Sequence, residues 1–90
     1  MKLYVLVKAG LSRSHQAVQA GHAVACWCLR HGRREWNGTL VYLKVQDDLE
    51  AWLHRLGPEA CGFREPYWDD QLTAVAWLGG PDELAGLPLL

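Results

Sequence analysis

The sequence has too few cysteines to be stapled together and no apolar run long enough to cross a bilayer. Cys26, Cys28 and Cys61 are an odd number with no CxxC pair among them, so they form no disulfide framework and make a poor zinc-ligand set. Free, buried thiols in a reducing, cytoplasmic compartment are the expectation. The opening MKLYVLVKAG has an apolar run of only five residues before Lys8, too short for a secretion signal. Nowhere does the chain reach the roughly 18 uncharged apolar residues of a transmembrane helix, so no membrane partner is expected.

Acid is scarce in the first half. Residues 1 to 45 hold Lys2, Lys8, Arg13, Arg30, Arg33, Arg34 and Lys44 against Glu35 alone, whereas residues 46 to 90 hold every other carboxylate against Arg55 and Arg64. A net charge of -1 therefore hides a basic half that suits a phosphate-bearing partner, although ordinary solvated charge accounts for it equally well. Phosphate-binding glycine loops and dinucleotide fingerprints are missing too, and Ser12 and Ser14 lack a nucleophile elbow. His22 and Cys26 stand four apart, but Cys26 and Cys28 would point to different helix faces. Neither a metal nor a cofactor is implied.

What the chain does have is apolar mass: 50% of its 90 residues, five of them Trp. That supplies one core and one domain, over residues 1 to 81, with residues 82 to 90 expected as a loosely attached tail. Leu3 to Val7 reads as a strand covered on both faces. A helix capped by Ser12 or Ser14 follows to about His31, where Gly32 ends it. Thr39 to Val45 reads as a second strand, and Asp47-Asp48-Leu49-Glu50 opens a short helix that Gly57-Pro58 stops. Ala60 to Glu65 is a weak third strand, Pro66 to Asp70 a loop, and Leu72 to Leu78 a strong fourth strand. The order βαβαββ makes an α/β fold with parallel crossovers and helices on the sheet faces, and the short last loop suits a hairpin return.

Along the first helix, Ala17, Gly21, Val24 and Cys28 recur at helical spacing, flanked by Val18, Ala25 and Leu29, and are expected to pack on the sheet. His15, Gln19, His22 and Cys26 share a second face. Two imidazoles with an amide between them could move protons or hold an anion, although a single helix histidine is more often an ordinary surface or core residue. Asp69 and Asp70 precede Thr73, a pattern that serves acid-base chemistry or simply an acidic turn. Tyr67, Trp68 and Trp36 fall in loops, where they would stack on a base or cover a sheet edge.

The strand KLYVLV, a loop, and then HQAVQAGHA resemble the peptidyl-tRNA hydrolases of the archaeal and eukaryotic type, whose helix carries K-x-A-A-Q-x-x-H-A. Gln19, His22 and Ala23 agree in that register, and TLVYLKV, DDLEAWL and LTAVAWLGGP follow the family's order, so the likeness spans about residues 2 to 81. It implies a three-layer α/β/α fold with a four-stranded mixed sheet, the last strand antiparallel, and hydrolysis of the ester joining a peptidyl or acyl group to tRNA. Residues implied as catalytic are His15, His22, Asp69, Asp70 and Thr73, with Lys8, Arg13 and Gln19 on the substrate. His15 stands where the family has Lys, which would tie activity to pH near neutrality. The family's D-x-G-x-T followed by a Thr-bearing strand is shortened to WDDQLTAVAW. Asp69 with Thr73 keeps the first spacing, whereas anchoring on the terminal Gly-Pro makes Thr73 the later strand threonine; either Asp then serves as the acid. Convergence of His15, His22 and an Asp within hydrogen-bond reach in an open cleft would support catalysis on this reading; if they point apart, it loses its main support. A noncatalytic RNA- or protein-binding domain on the same fold, or a homodimer built on the small-residue helix, is the alternative.

Overall fold

The computed structural model describes residues 1–32 and 35–90; Arg33 and Arg34 of the basic half lie outside the described residues. The chain runs β1 (Lys2–Lys8), α1 (Arg13–His31), β2 (Leu40–Val45), α2 (Leu49–Leu56), β3 (Cys61–Glu65), a 3-10 turn (Pro66–Trp68), β4 (Gln71–Gly79) and a second 3-10 turn (Pro81–Leu84). The four strands form one mixed sheet in the order β2-β1-β4-β3. β1 and β2 are parallel because α1 carries the chain back between them, and β4 runs antiparallel to both β1 and β3.

Alternation along β1 explains the three layers. Tyr4 and Leu6 face one side, where Leu43, Val45, Leu49 and Trp52 form a core with α2. Leu3, Val5 and Val7 face the other, against Ala20, Ala23 and Trp27 of α1. Both faces of β1 are thus dry, as its unbroken apolar run requires. Ser12 caps α1, its side chain accepting from the His15 N–H at 3.3 Å, and Gly32 ends the helix at φ 68°. Asp48 caps α2 through the Glu50 and Ala51 N–H groups at 3.0 and 3.3 Å. β3 packs close to α2 because Gly62 has no side chain: a Cβ there would lie 2.7 Å from Leu72 Cδ1 and 3.0 Å from Leu53 Cδ2.

Two expectations fail. The buried side of α1 is Gln16, Gln19, Ala20, Ala23 and Trp27, and half-buried Val24 and Cys28 pack against the same core as expected, whereas Ala17, Val18, Gly21, Ala25 and Leu29 are exposed. The small side chains of Ala20 and Ala23 admit the sheet and Trp27 fills the space beyond them; two glutamines complete the face because the sheet edge offers them partners. Residues 82–90 are also not a loose tail. Leu84 is buried, Leu89 bridges Leu43, the Lys44 N–H donates to Pro88 O at 2.8 Å, and the Leu90 N–H donates to Tyr42 O at 3.0 Å. β2 is an edge strand, and this segment pairs with groups the sheet would otherwise leave open.

No helix among the described residues is long and apolar enough to cross a membrane.

Candidate functional site

The carboxyl ends of β1, β2 and β3 and the start of β4 lie at one edge of the sheet, together with the N-termini of both helices. Open α/β sheets place their sites at such edges. The polar face of α1 borders β3, with Gln19 buried and His15 and His22 exposed on either side of it. Three of its four members meet β3 and the following turn in sequence: His15 touches Trp68, Gln19 bonds Glu65, and His22 stacks on Phe63.

Gln19 is the centre of this border. Its Nε2 donates to Glu65 Oε1 at 3.0 Å, and its Oε1 accepts the Thr73 hydroxyl at 2.6 Å. A carboxylate only accepts, so Glu65 fixes which way the Gln19 amide lies, and the amide oxygen in turn commits the Thr73 proton. Gln19 is 2% exposed and Thr73 is fully enclosed. The hydroxyl therefore acts on Gln19 and is closed to a ligand from outside.

A bulge makes this contact possible. Arg64 pairs with Leu72 and Phe63 with Ala74, which leaves Thr73 as an extra residue on β4. Leu72 faces the α2 core, and both Thr73 and Ala74 then face α1. Strict alternation would have sent one of them to the opposite side.

Glu65 is the member of this bonded group that sequence reasoning overlooked. It ends β3, and its half-buried side chain also caps the 3-10 turn by accepting from the Tyr67 N–H at 3.3 Å. The available signal was an acid immediately before Pro66 at a strand end, a common capping position.

The remaining candidates divide. His15 is exposed at the rim, its ring 5.1 Å from that of Trp68 and at 73° to it. His22 lies seven residues further along α1, about 10 Å at 1.5 Å per residue, with its ring 4.4 Å from Phe63 and nearly parallel to it. Asp69 and Asp70 are exposed, with left-handed backbones at φ 51° and 58°. Among the described residues, no side-chain hydrogen bond or ion pair joins either Asp to His15 or His22. The structure brings together Gln19, Thr73 and Glu65, with His15 one helical turn before Gln19 and against Trp68; it does not bring His22, Asp69 or Asp70 into that group, so the convergence of His15, His22 and an Asp that would support catalysis is not formed.

Lys8 and Arg13 line different clefts. Lys8 borders a cleft of about 410 Å³ with Asp47, Asp48 and Glu50, on the α2 side. Arg13 borders one of about 360 Å³ with Gln16, Tyr42, Lys44 and Leu90. Among the described residues, Lys8 and Arg13 therefore do not share one cleft. Arg30, at the far end of α1, is spent on the carbonyls of Pro58 and Ala60. Arg64 is engaged by Glu50 at 2.7 and 2.8 Å.

The cysteines carry no metal set. Among the described residues, no group of three or more His, Cys, Asp or Glu side chains is placed to hold an ion. Burial pushes the Cys61 thiol up from its ordinary value, and the neighbouring Arg30 offsets this in part.

No protein-family model matches the chain, and no curated protein is significantly similar to it.

Proposed function

We propose that this chain is an ester hydrolase of the peptidyl-tRNA type, with Glu65 as the acidic residue of its site. The observation that carries the reading is the bonded series Glu65–Gln19–Thr73, which links the motif glutamine of α1 to an acid and to a threonine of the last strand. The resemblance calls for an Asp in D-x-G-x-T, then a turn and a Thr-bearing strand; Glu65 departs from that motif in residue type and spacing and shares with it only its place before the turn and the strand. Glu65, the Pro66–Trp68 turn and β4 supply that order. The mixed sheet with β4 reversed is the one the resemblance implies.

In this proposal Glu65 holds and deprotonates a water that attacks the ester carbonyl, and returns that proton to the ribose oxygen as the acyl–oxygen bond breaks, leaving the acyl product and a free ribose hydroxyl. Gln19 keeps the carboxylate aimed, and Thr73 keeps Gln19 aimed. His15, at the exposed rim, donates to the oxygen that gains negative charge. Asp69 and Asp70 serve the turn, and His22 braces α1 on β3. Arg13 and Lys44, on one groove, meet the tRNA phosphates.

A second reading, a noncatalytic RNA-binding domain in which exposed Val18 and Leu29 would pair two copies, is favoured by one fact. His15 and His22 are both in ring contacts, and among the described residues no side-chain hydrogen bond or ion pair joins either to a carboxylate.

Purified protein incubated with an N-acyl-aminoacyl-tRNA separates the two. The hydrolase reading predicts release of the acyl-amino acid, slowed at least tenfold in His15→Ala. Binding of tRNA that falls steeply with salt, with no release, supports the second reading and rejects the first.

A further inference from the structure

α1 and β3 lie side by side and run in opposite directions, and their contacts form a ladder. Gln19 bonds Glu65, His22 stacks on Phe63, and Arg30 Nη1 donates to Cys61 Sγ at 3.7 Å. Every second residue of β3, Cys61, Phe63 and Glu65, therefore faces the helix. Two strand residues advance about 6.6 Å and four helix residues about 6 Å, so one further step past the His22–Phe63 stack brings Cys26 level with Cys61.

The surroundings agree with that register. Cys61 belongs to the core between α1 and the sheet, and Cys26 packs against the same core. Burial holds the Cys61 thiol above its ordinary value, Arg30 lowers it, and Cys26 is near enough to raise it again. Cys28, two residues further on, instead borders a cleft with Trp36 and Asn37. Among the described residues no third ligand joins the two thiols, which leaves sulfur–sulfur chemistry as what the pair can do.

We propose that Cys26 and Cys61 are a reversible disulfide site that fastens α1 to β3, with a hydroperoxide as its oxidant. Cys26 is half-buried and Cys61 only 5% exposed, so the peroxide meets Cys26 first. The Cys26 sulfur attacks one peroxide oxygen, the O–O bond breaks, and a water departs to leave the sulfenic acid. The Cys61 thiolate, stabilised by the Arg30 guanidinium beside it, then attacks that sulfur; the S–O bond breaks and a second water carries away the thiol proton. Two electrons pass from the pair to one peroxide. The link needs nothing from the hydrolase reading and stands or falls without it.

The test is oxidation of the folded chain by hydrogen peroxide, read by mass spectrometry without reduction and by thermal melts. The unmutated chain should lose two hydrogen atoms, with the link inside one chain, and melt about 5 °C higher or more; dithiothreitol should reverse both changes. Cys28→Ala should behave alike, with the peptide that holds Cys26 joined to the peptide that holds Cys61. Cys26→Ala should form no link and keep its circular dichroism spectrum. A Cys26–Cys28 link, a link between two chains, sulfinic acid on Cys26 with Cys61 still free, or a melting point that does not rise overturns the proposal.

Discussion

Thr73 Oγ1 in β4 donates a 2.6 Å hydrogen bond to Gln19 Oε1 in α1, between two side chains that solvent does not reach. The bond ties a bulge in the sheet to the helix that covers it. Removing the hydroxyl leaves an enclosed amide oxygen without its donor, a loss of about 1–3 kcal/mol. Thr73→Val should therefore lower the urea midpoint by that equivalent, and Thr73→Ser should recover most of it. Equal midpoints for Thr73→Val and the unmutated protein would mean that the bond contributes nothing to stability.

Two glycines should respond in opposite directions. A methyl group at Gly62 meets Leu72 and Leu53 side chains at 2.7 and 3.0 Å, so Gly62→Ala should destabilise by about 1–3 kcal/mol through overpacking. Gly21 lies in α1 with open space around it, and Gly21→Ala should stabilise by up to about 1 kcal/mol through helix propensity. Thermal melts of the two variants check the opposite signs.

The Arg64 guanidinium, hydrogen-bonded to both oxygens of Glu50, holds that carboxyl below the usual carboxylate range. A depressed folded-state value means that the stabilisation is complete above the unfolded carboxylate value and disappears as pH falls through the folded one. Both side chains are about half exposed, so solvent screening keeps the pair's contribution below about 1 kcal/mol. Urea unfolding of Glu50→Gln should show a small deficit at pH 7 that narrows as pH falls below the ordinary Glu value and closes once pH is below the depressed folded one.

The element order, the strand positions and both helix caps were legible because each rests on local chemistry: an unbroken apolar run, a Ser or Asp cap, a Gly stop. The buried face of α1 was not. Apolar spacing picks out Ala17, Gly21, Val24 and Cys28, but in place of the first two the sheet accepts Gln16 and Gln19, since their amides find Lys8 O, Ala9 O, Glu65 and Thr73. Polar satisfaction by residues distant in sequence decides that face, and hydropathy does not register it. The bulge at Thr73 and the pairing of Leu89 with Leu43 are hidden for the same reason, as each depends on a partner strand. Within the candidate site the helix stripe His15–Gln19–His22 was visible as a stripe. Its acid was sought in the conspicuous Asp69-Asp70 pair, while Glu65, one residue before a proline, is the carboxylate that Gln19 meets.

Release of acyl-amino acid from N-acyl-aminoacyl-tRNA by Glu65→Gln, set against the unmutated protein at matched folded concentration, tests the central claim most directly. The unmutated chain should cleave well above the spontaneous rate, and Glu65→Gln should lose about a hundredfold or more, the scale of a missing general base. Cleavage by Glu65→Gln at the unmutated rate, or none by the unmutated chain, would contradict it.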